Sequence, residues 1–370
     1  MASVKKRPNG RWRARYTDAQ GKEHARHFEL KRDAERWIDE VTAAVVTGQY
    51  ADPRAGKVTW RAWVEAWMSR QVWADGTHEA ARTSVMSVPW LDSAIGSVRP
   101  SHVQAWISGE SKRGLAASTI RTRVNYVQMA FRAATLDRVI PTNPAEGAKS
   151  PRTRRSDAAM KLLTVEQVAA ALDAAGDFRP FVAVCAFAGL RLGEAAGLRV
   201  KDVNFLRRTI GVRQQVQGST HKTAKIVPPK AGSERDVFGP DGLMSVLSLV
   251  DRSSSPDALL FRTPLGQMWH RNNAGEEWRR IRKAAGLPED VTLHALRHTY
   301  ASSLIAAGCD VVTVQRALGH SQPSITLNVY SHLWPSAEDK TRAAAADFMA
   351  SVLAPADNPR TADGKAQVRG

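Results

Sequence analysis

The sequence predicts a multidomain, mainly α-helical protein with small β-sheets, on three observations. At 370 residues the chain exceeds the ~100–200 residues of a usual domain, so two or three domains are expected. Apolar residues spaced three and four apart recur along most of it, the period of helices with one buried face. Strand-like alternation is confined to two short stretches, residues 11–28 and 208–238.

Residues 1–50 read as a β-ribbon plus helix. Arg11, Trp12, Arg13, Ala14, Arg15 and Tyr16 alternate, which sets basic side chains on one face of a strand. Residues 18–21 (Asp-Ala-Gln-Gly) signal a turn, and residues 22–28 return as a second strand. A helix over 31–46 would place Ala34, Trp37, Ile38 and Val41 on one side. Residues 1–32 hold ten Lys/Arg against three acids, a local net of +7. A basic two-stranded ribbon fits the major groove of DNA, so Lys5, Lys6, Arg7, Arg11, Arg13 and Arg15 are expected DNA contacts.

Residues 48–57, with Pro53 and Gly56, look like a linker. Thr59 can cap a helix bearing Trp60, Trp63, Val64 and Trp67, whose spacing marks a core stripe and not a base-stacking platform. Helices are expected at 77–88, 100–108 and 117–135, making 57–140 an all-α bundle. Arg121, Arg123 and Arg132 read equally as DNA-backbone contacts or as a solvated face. Residues 141–160, with Pro141, Pro144, Gly147 and Pro151 before Arg152, Arg154 and Arg155, read as a basic linker. Such a segment suits passage along a duplex and suits an ordinary flexible connector as well.

Thr164-Val165-Glu166-Gln167 is a capping-box pattern opening a helix to residue 175. Residues 178–198 follow as helix broken at Gly189, and 208–215, 224–228 and 234–238 as three short strands. Helices are expected again at 241–251, 270–285, 294–307, 310–318 and 336–352, so 161–353 reads as a mixed α+β domain. Residues 354–370 read as a flexible tail.

The charge is lopsided, with 53 Lys+Arg against 36 Asp+Glu for a net of +17. Such an excess favours a polyanionic partner. Cys185 and Cys309 lie in apolar, helix-like stretches, so they read as core residues in a reducing compartment. Residues 1–15 lack the apolar run of a secretory signal, and no stretch approaches the ~18 apolar residues of a membrane helix. The expected location is the cytoplasm, with nucleoid association when DNA is bound.

Between Gly189 and Tyr330 stand, in order, Arg191, Lys230, His294, Arg297, His320 and Tyr330. Two guanidinium forks can each clamp two oxygens of one phosphate. A phenol can attack phosphorus and be held as a covalent ester, which splits one displacement into two. These residues therefore make a site for breaking a phosphodiester without metal. Arg191 and Glu194 are three apart, as are His294 and Arg297, so each pair shares a helix face. His294 and His298 at four-residue spacing would suit a metal pair, but no glutamate follows His294 and no third ligand is evident.

These blocks, with Leu318-Gly319-His320-Ser321 and the run from Thr326 to His332, resemble the tyrosine recombinase (integrase) family. The likeness is strong over about 160–340 and more diffuse over 57–140, the position of that family's core-binding domain. Residues 1–50 resemble its arm-type DNA-binding domain. The resemblance implies that Tyr330 attacks the scissile phosphorus and becomes joined to the 3′ phosphate. Arg191 and Arg297 would hold the non-bridging oxygens, Lys230 would protonate the leaving oxygen, His294 would assist proton transfer and His320 would bind the phosphate. Glu194 fills the supporting position, and Lys222 or Lys225 could take the place of Lys230. Neither cofactor nor ATP is implied. The implied partners are double-stranded DNA attachment sites and a homotetramer, with a directionality factor and a host DNA-bending protein as accessories. The helix at 336–352 would dock on a neighbouring protomer. A type IB topoisomerase shares this chemistry, and a non-catalytic regulator could share the fold. The arm-like unit argues against the first, the complete residue set against the second.

Overall fold

The alternation that marked a strand at residue 12 becomes, in the computed structural model, the middle of a sheet. That structure describes residues 2–17, 21–46, 54–151, 160–229, 233–251, 255–334 and 337–353. The chain divides into two compact units, residues 1–159 and 160–370. In the first, β1 (Ser3–Lys6), β2 (Trp12–Thr17) and β3 (Glu23–Phe28) pair antiparallel in that order. The expected two-stranded ribbon is thus a three-stranded sheet. Ser3–Lys6 carries one apolar residue, Val4, so it shows no alternation; it is fixed by pairing Lys5 opposite Arg13. Ala14 and Tyr16 face α1 (Lys31–Val46), burying against Ala34 and Ile38. Lys5, Arg13 and His27 stand opposite one another across the strands, on the other face. The turn residues 18–20 lie outside the described residues.

Helices α2 (Trp60–Ser69), α3 (Asp75–Val85), α4 (Pro100–Lys112) and α5 (Ala117–Leu136) pack around the tryptophan stripe. Thr59 accepts from the Ala62 N–H at 3.3 Å, capping α2 as its position implied. Trp60 and Trp63 are buried, and each indole N–H finds a carbonyl, Val85 at 2.8 Å and Ala130 at 3.1 Å. The start of the expected linker belongs to this bundle. Ala145 is fully buried in its core, and Lys149 exchanges hydrogen bonds with the Gln104 amide.

The second unit opens with α6 (Val165–Asp173), where Thr164 and Gln167 cap each other reciprocally. Then come α7 (Arg179–Phe187) and α8 (Leu192–Ala196), the break at Gly189 between them. Two antiparallel sheets follow. One is β4 (Val203–Asn204), β5 (Thr209–Val212) and β8 (Arg235–Phe238); the other is β6 (Gln215–Gln217) with β7 (Lys225–Val227). The single strand expected over 208–215 is therefore two, in different sheets.

Six helices complete the unit: α9 (Asp241–Ser248), α10 (Arg271–Ala284), α11 (Leu293–Ala306), α12 (Val311–Leu318), α13 (Pro323–Tyr330) and α14 (Ala337–Leu353). Phe181, Val182, Leu198, Ile210, Val237 and Leu296 lie in its core, where α11 packs on α7. Helix α13 is absent from the sequence reading. Among the described residues no helix is long and apolar enough to cross a membrane.

Candidate active site

Gly189 turns the chain from α7 into α8 with a left-handed φ of +63°, and a Cβ there would collide with the Tyr300 ring. This turn delivers Arg191 to the N-cap of α8, just before the helical face that its spacing suggested. Glu194 reaches back from the first turn. Its carboxylate accepts the Arg191 main-chain N–H at 2.9 Å and the Arg191 guanidinium at 2.7 Å. The same carboxylate takes both arms of Arg235, at 2.9 and 3.2 Å, and lies 3.8 Å from Arg297. Burial alone would raise the Glu194 carboxyl. The hydrogen bonds and charge of Arg235, then the charges of Arg191 and Arg297, bring it down to about 2 instead. The group is an anion at neutral pH.

Arg297, on α11, is 2% exposed. It donates to the carbonyls of Gly189 and Leu318, tying the turn before α8 to the end of α12. Helix α12 stops at Gly319, whose φ of +61° caps it in the left-handed form. His320 follows, its Nδ1 2.9 Å from the Thr326 hydroxyl and its main chain bracketed by Gln315. Burial, then Arg297 and Arg191, hold the His320 imidazole at about 4, so it is neutral at physiological pH. The His294 imidazole is also lowered, by desolvation and then by His298, Arg297 and Arg191.

Tyr330 closes α13 at 1% exposure, in a small apolar cluster with Ala301, Ile305, Val314 and Leu318. Its hydroxyl lies 2.8 Å from Nδ1 of His298. Burial raises the phenol's pKa, while Arg297 and Arg191 oppose that rise. Five of the six residues picked out in sequence, Arg191, His294, Arg297, His320 and Tyr330, thus share one electrostatic neighbourhood with Glu194. Lys230 lies outside the described residues; Lys222 and Lys225 are exposed. A cleft of about 660 Å³ borders His294 and is lined on α10 by Arg271, Arg279 and Arg282. Among the described residues no group of three His, Cys, Asp or Glu side chains is placed to hold a metal ion.

Two participants escaped the sequence reading. Arg235 is legible only as one more cation in a basic turn, and His298 as a packing or hydrogen-bonding neighbour whose partner the sequence does not name. Their partners, Glu194 and Tyr330, are 41 and 32 residues away, a separation that local pattern cannot bridge.

The basic residues expected to meet DNA divide. Lys5, Lys6, Arg7 and Arg11 are exposed, and Arg13 and Arg15 both pair with Glu23, at 3.2 and 3.1 Å. Arg121 is exposed, whereas Arg123 is turned inward onto the buried Glu110 carboxylate. Arg152, Arg154 and Arg155 lie outside the described residues.

The phage integrase family matches residues 161–336, and the phage integrase N-terminal domain matches residues 2–47. A tyrosine recombinase XerC of Vibrio atlanticus is 30% identical over 242 residues, which cover 62% of this chain and 73% of that protein. A XerC-like tyrosine recombinase of Caldanaerobacter subterraneus is 27% identical over 278 residues, or 67% and 70% of the two chains. Among solved structures, the Tn1549 transposon integrase in complex with circular intermediate DNA matches with a TM-score of 0.67. Its identity is 23%, over 79% of this chain and 100% of that one. A lambda integrase dimer bound to a COC′ core site matches at 0.58 and 18% identity, over 90% and 96%. At these identities the structures speak for the fold.

Proposed function

This chain belongs to the tyrosine recombinase (phage integrase) family of site-specific DNA recombinases, and from that premise we propose that it integrates, and excises, a phage or mobile element through a 3′-phosphotyrosyl intermediate. The observation that carries this reading is a buried phenol, Tyr330, set beside two guanidinium groups that one carboxylate holds in place. When a phenol oxygen adds to a phosphodiester, negative charge builds on the non-bridging oxygens. Arg191 and Arg297 would neutralise it in place, with no reorganisation at the moment of reaction. Neutral His320 would donate a hydrogen bond to the same phosphate, while Thr326 fixes its ring. Lys230 would protonate the leaving 5′ oxygen. The phosphotyrosine would conserve the bond's free energy, so a 5′ hydroxyl from a second DNA end could reverse the step.

DNA is the proposed substrate, and the protein would act as a tetramer on two sites. The sheet face with Lys5, Arg13 and Arg15 would read distal arm sites. Its surface ion pairs with Glu23 are each worth only ~0–1 kcal/mol, so they yield readily to phosphate. The test incubates wild-type and Tyr330→Phe protein with DNA flanking the gene, then looks for protein-linked DNA after denaturing electrophoresis. An adduct with wild type alone is the expected result. Tight binding of that DNA by both proteins with no adduct from either would count against the reading.

A further inference from the structure

The Tyr330 hydroxyl faces a base as well as cations. Among the described residues its hydrogen-bond partner is His298, with Nδ1 2.8 Å from Oη and the ring centroids 5.6 Å apart. His298 follows Arg297 directly on α11, and consecutive helical residues point about 100° apart. Arg297 therefore turns into the core while His298, half-buried, turns to α13. His294 lies one turn earlier, edge-on to His298 at 4.7 Å and more open to solvent.

We infer that His298 is a catalytic residue, aiming Tyr330 and taking the phenol proton as the oxygen attacks phosphorus. The inference rests on the phosphotyrosyl reading above and deepens it. A buried phenol is a poor nucleophile until its proton leaves, and a base within about 2.6–3.2 Å is in reach of it. With Nδ1 as acceptor, His298 is the neutral tautomer protonated on Nε2. Burial, then the charge of Arg297, lowers the His298 imidazole and so favours that neutral form. In the step, the Oη–P bond forms while the bond from phosphorus to the 5′ oxygen breaks. The phenol proton passes to Nδ1. The 5′ oxygen departs with the bonding pair and takes its own proton from the acid role assigned to Lys230. Resealing runs both transfers backward.

The experiment measures adduct formation in a single turnover, on a nicked duplex carrying the crossover sequence. It compares wild type with His298→Gln, which keeps a polar side chain but no base, and with His298→Asn should the first variant not fold. Each protein is also made with a fluorinated, more acidic tyrosine at 330. The expected outcome is about a 10²–10⁴-fold slower cleavage with DNA affinity kept, partly restored by the acidic tyrosine. Cleavage within a few-fold of wild type would overturn the inference. So would a loss that the acidic tyrosine leaves unchanged, because then His298 only holds the ring. No adduct from wild type would instead remove the phosphotyrosyl reading on which the inference stands.

Discussion

One buried carboxylate, Glu194, faces three guanidinium groups, two of which are proposed to meet the phosphate. The third, Arg235, binds it through both arms and spends its Nε on the Ala317 carbonyl at 2.9 Å. It therefore joins α8 to the end of α12, just before His320. Replacing Arg235 with Met leaves the carboxylate and the Ala317 carbonyl each short of a donor. Breaking a buried pair of this kind costs about 3 kcal/mol. Urea unfolding of the Arg235→Met protein should show that loss, and a change below about 1 kcal/mol would mean that Arg191 and Arg297 suffice to hold Glu194. The sequence made Arg191, Glu194 and Arg297 visible because fixed spacing sets them in recognisable blocks. It left Arg235 in the crowd, since a cation's partner across a fold leaves no local mark.

The same limit operates on elements. Long helices with a clear apolar stripe, such as α2 and α10, were legible from period alone. Helix α13 was not, because it is eight residues long and holds Ile325, Thr326 and Val329, all β-branched. A helix so short is marginal by itself. Pro323 starts it at a position where proline fits, and burial of Thr326 and Tyr330, four apart on one face, keeps it formed. Helix α14 is the opposite case, legible in period but without a covered face among its described side chains. Phe348, Met349, Val352 and Leu353 are each more than 60% exposed. We propose that they dock on a neighbouring protomer. Removing residues 336–370 should reduce two-site synaptic complexes in gel-shift assays by roughly tenfold, given the apolar area involved. Normal synapsis by the truncated protein would exclude that role.

At the scale of the whole molecule, the described residues form four apolar clusters: one under the N-terminal sheet, one in the tryptophan bundle and two in the second unit, the smaller of them around Tyr330. Because the first cluster closes on α1 and shares no buried residue with the second, residues 1–50 are proposed as a separable arm-site reader. A protein lacking them should still form the Tyr330 adduct on a core site, while integration into a full attachment site falls by at least about tenfold. Unchanged integration would dismiss the arm role. The sequence by itself determined the fold class, most helix faces and the set of residues proposed for phosphodiester chemistry, because those depend on residue type and on spacings within a turn or two. Only the tertiary structure decided that Glu194 answers to three arginines, that Arg297 bridges carbonyls 108 and 21 residues away, and that Tyr330 rests on His298. Those pairings arise where distant segments bury against each other, and burial there is set by the packing of the whole unit.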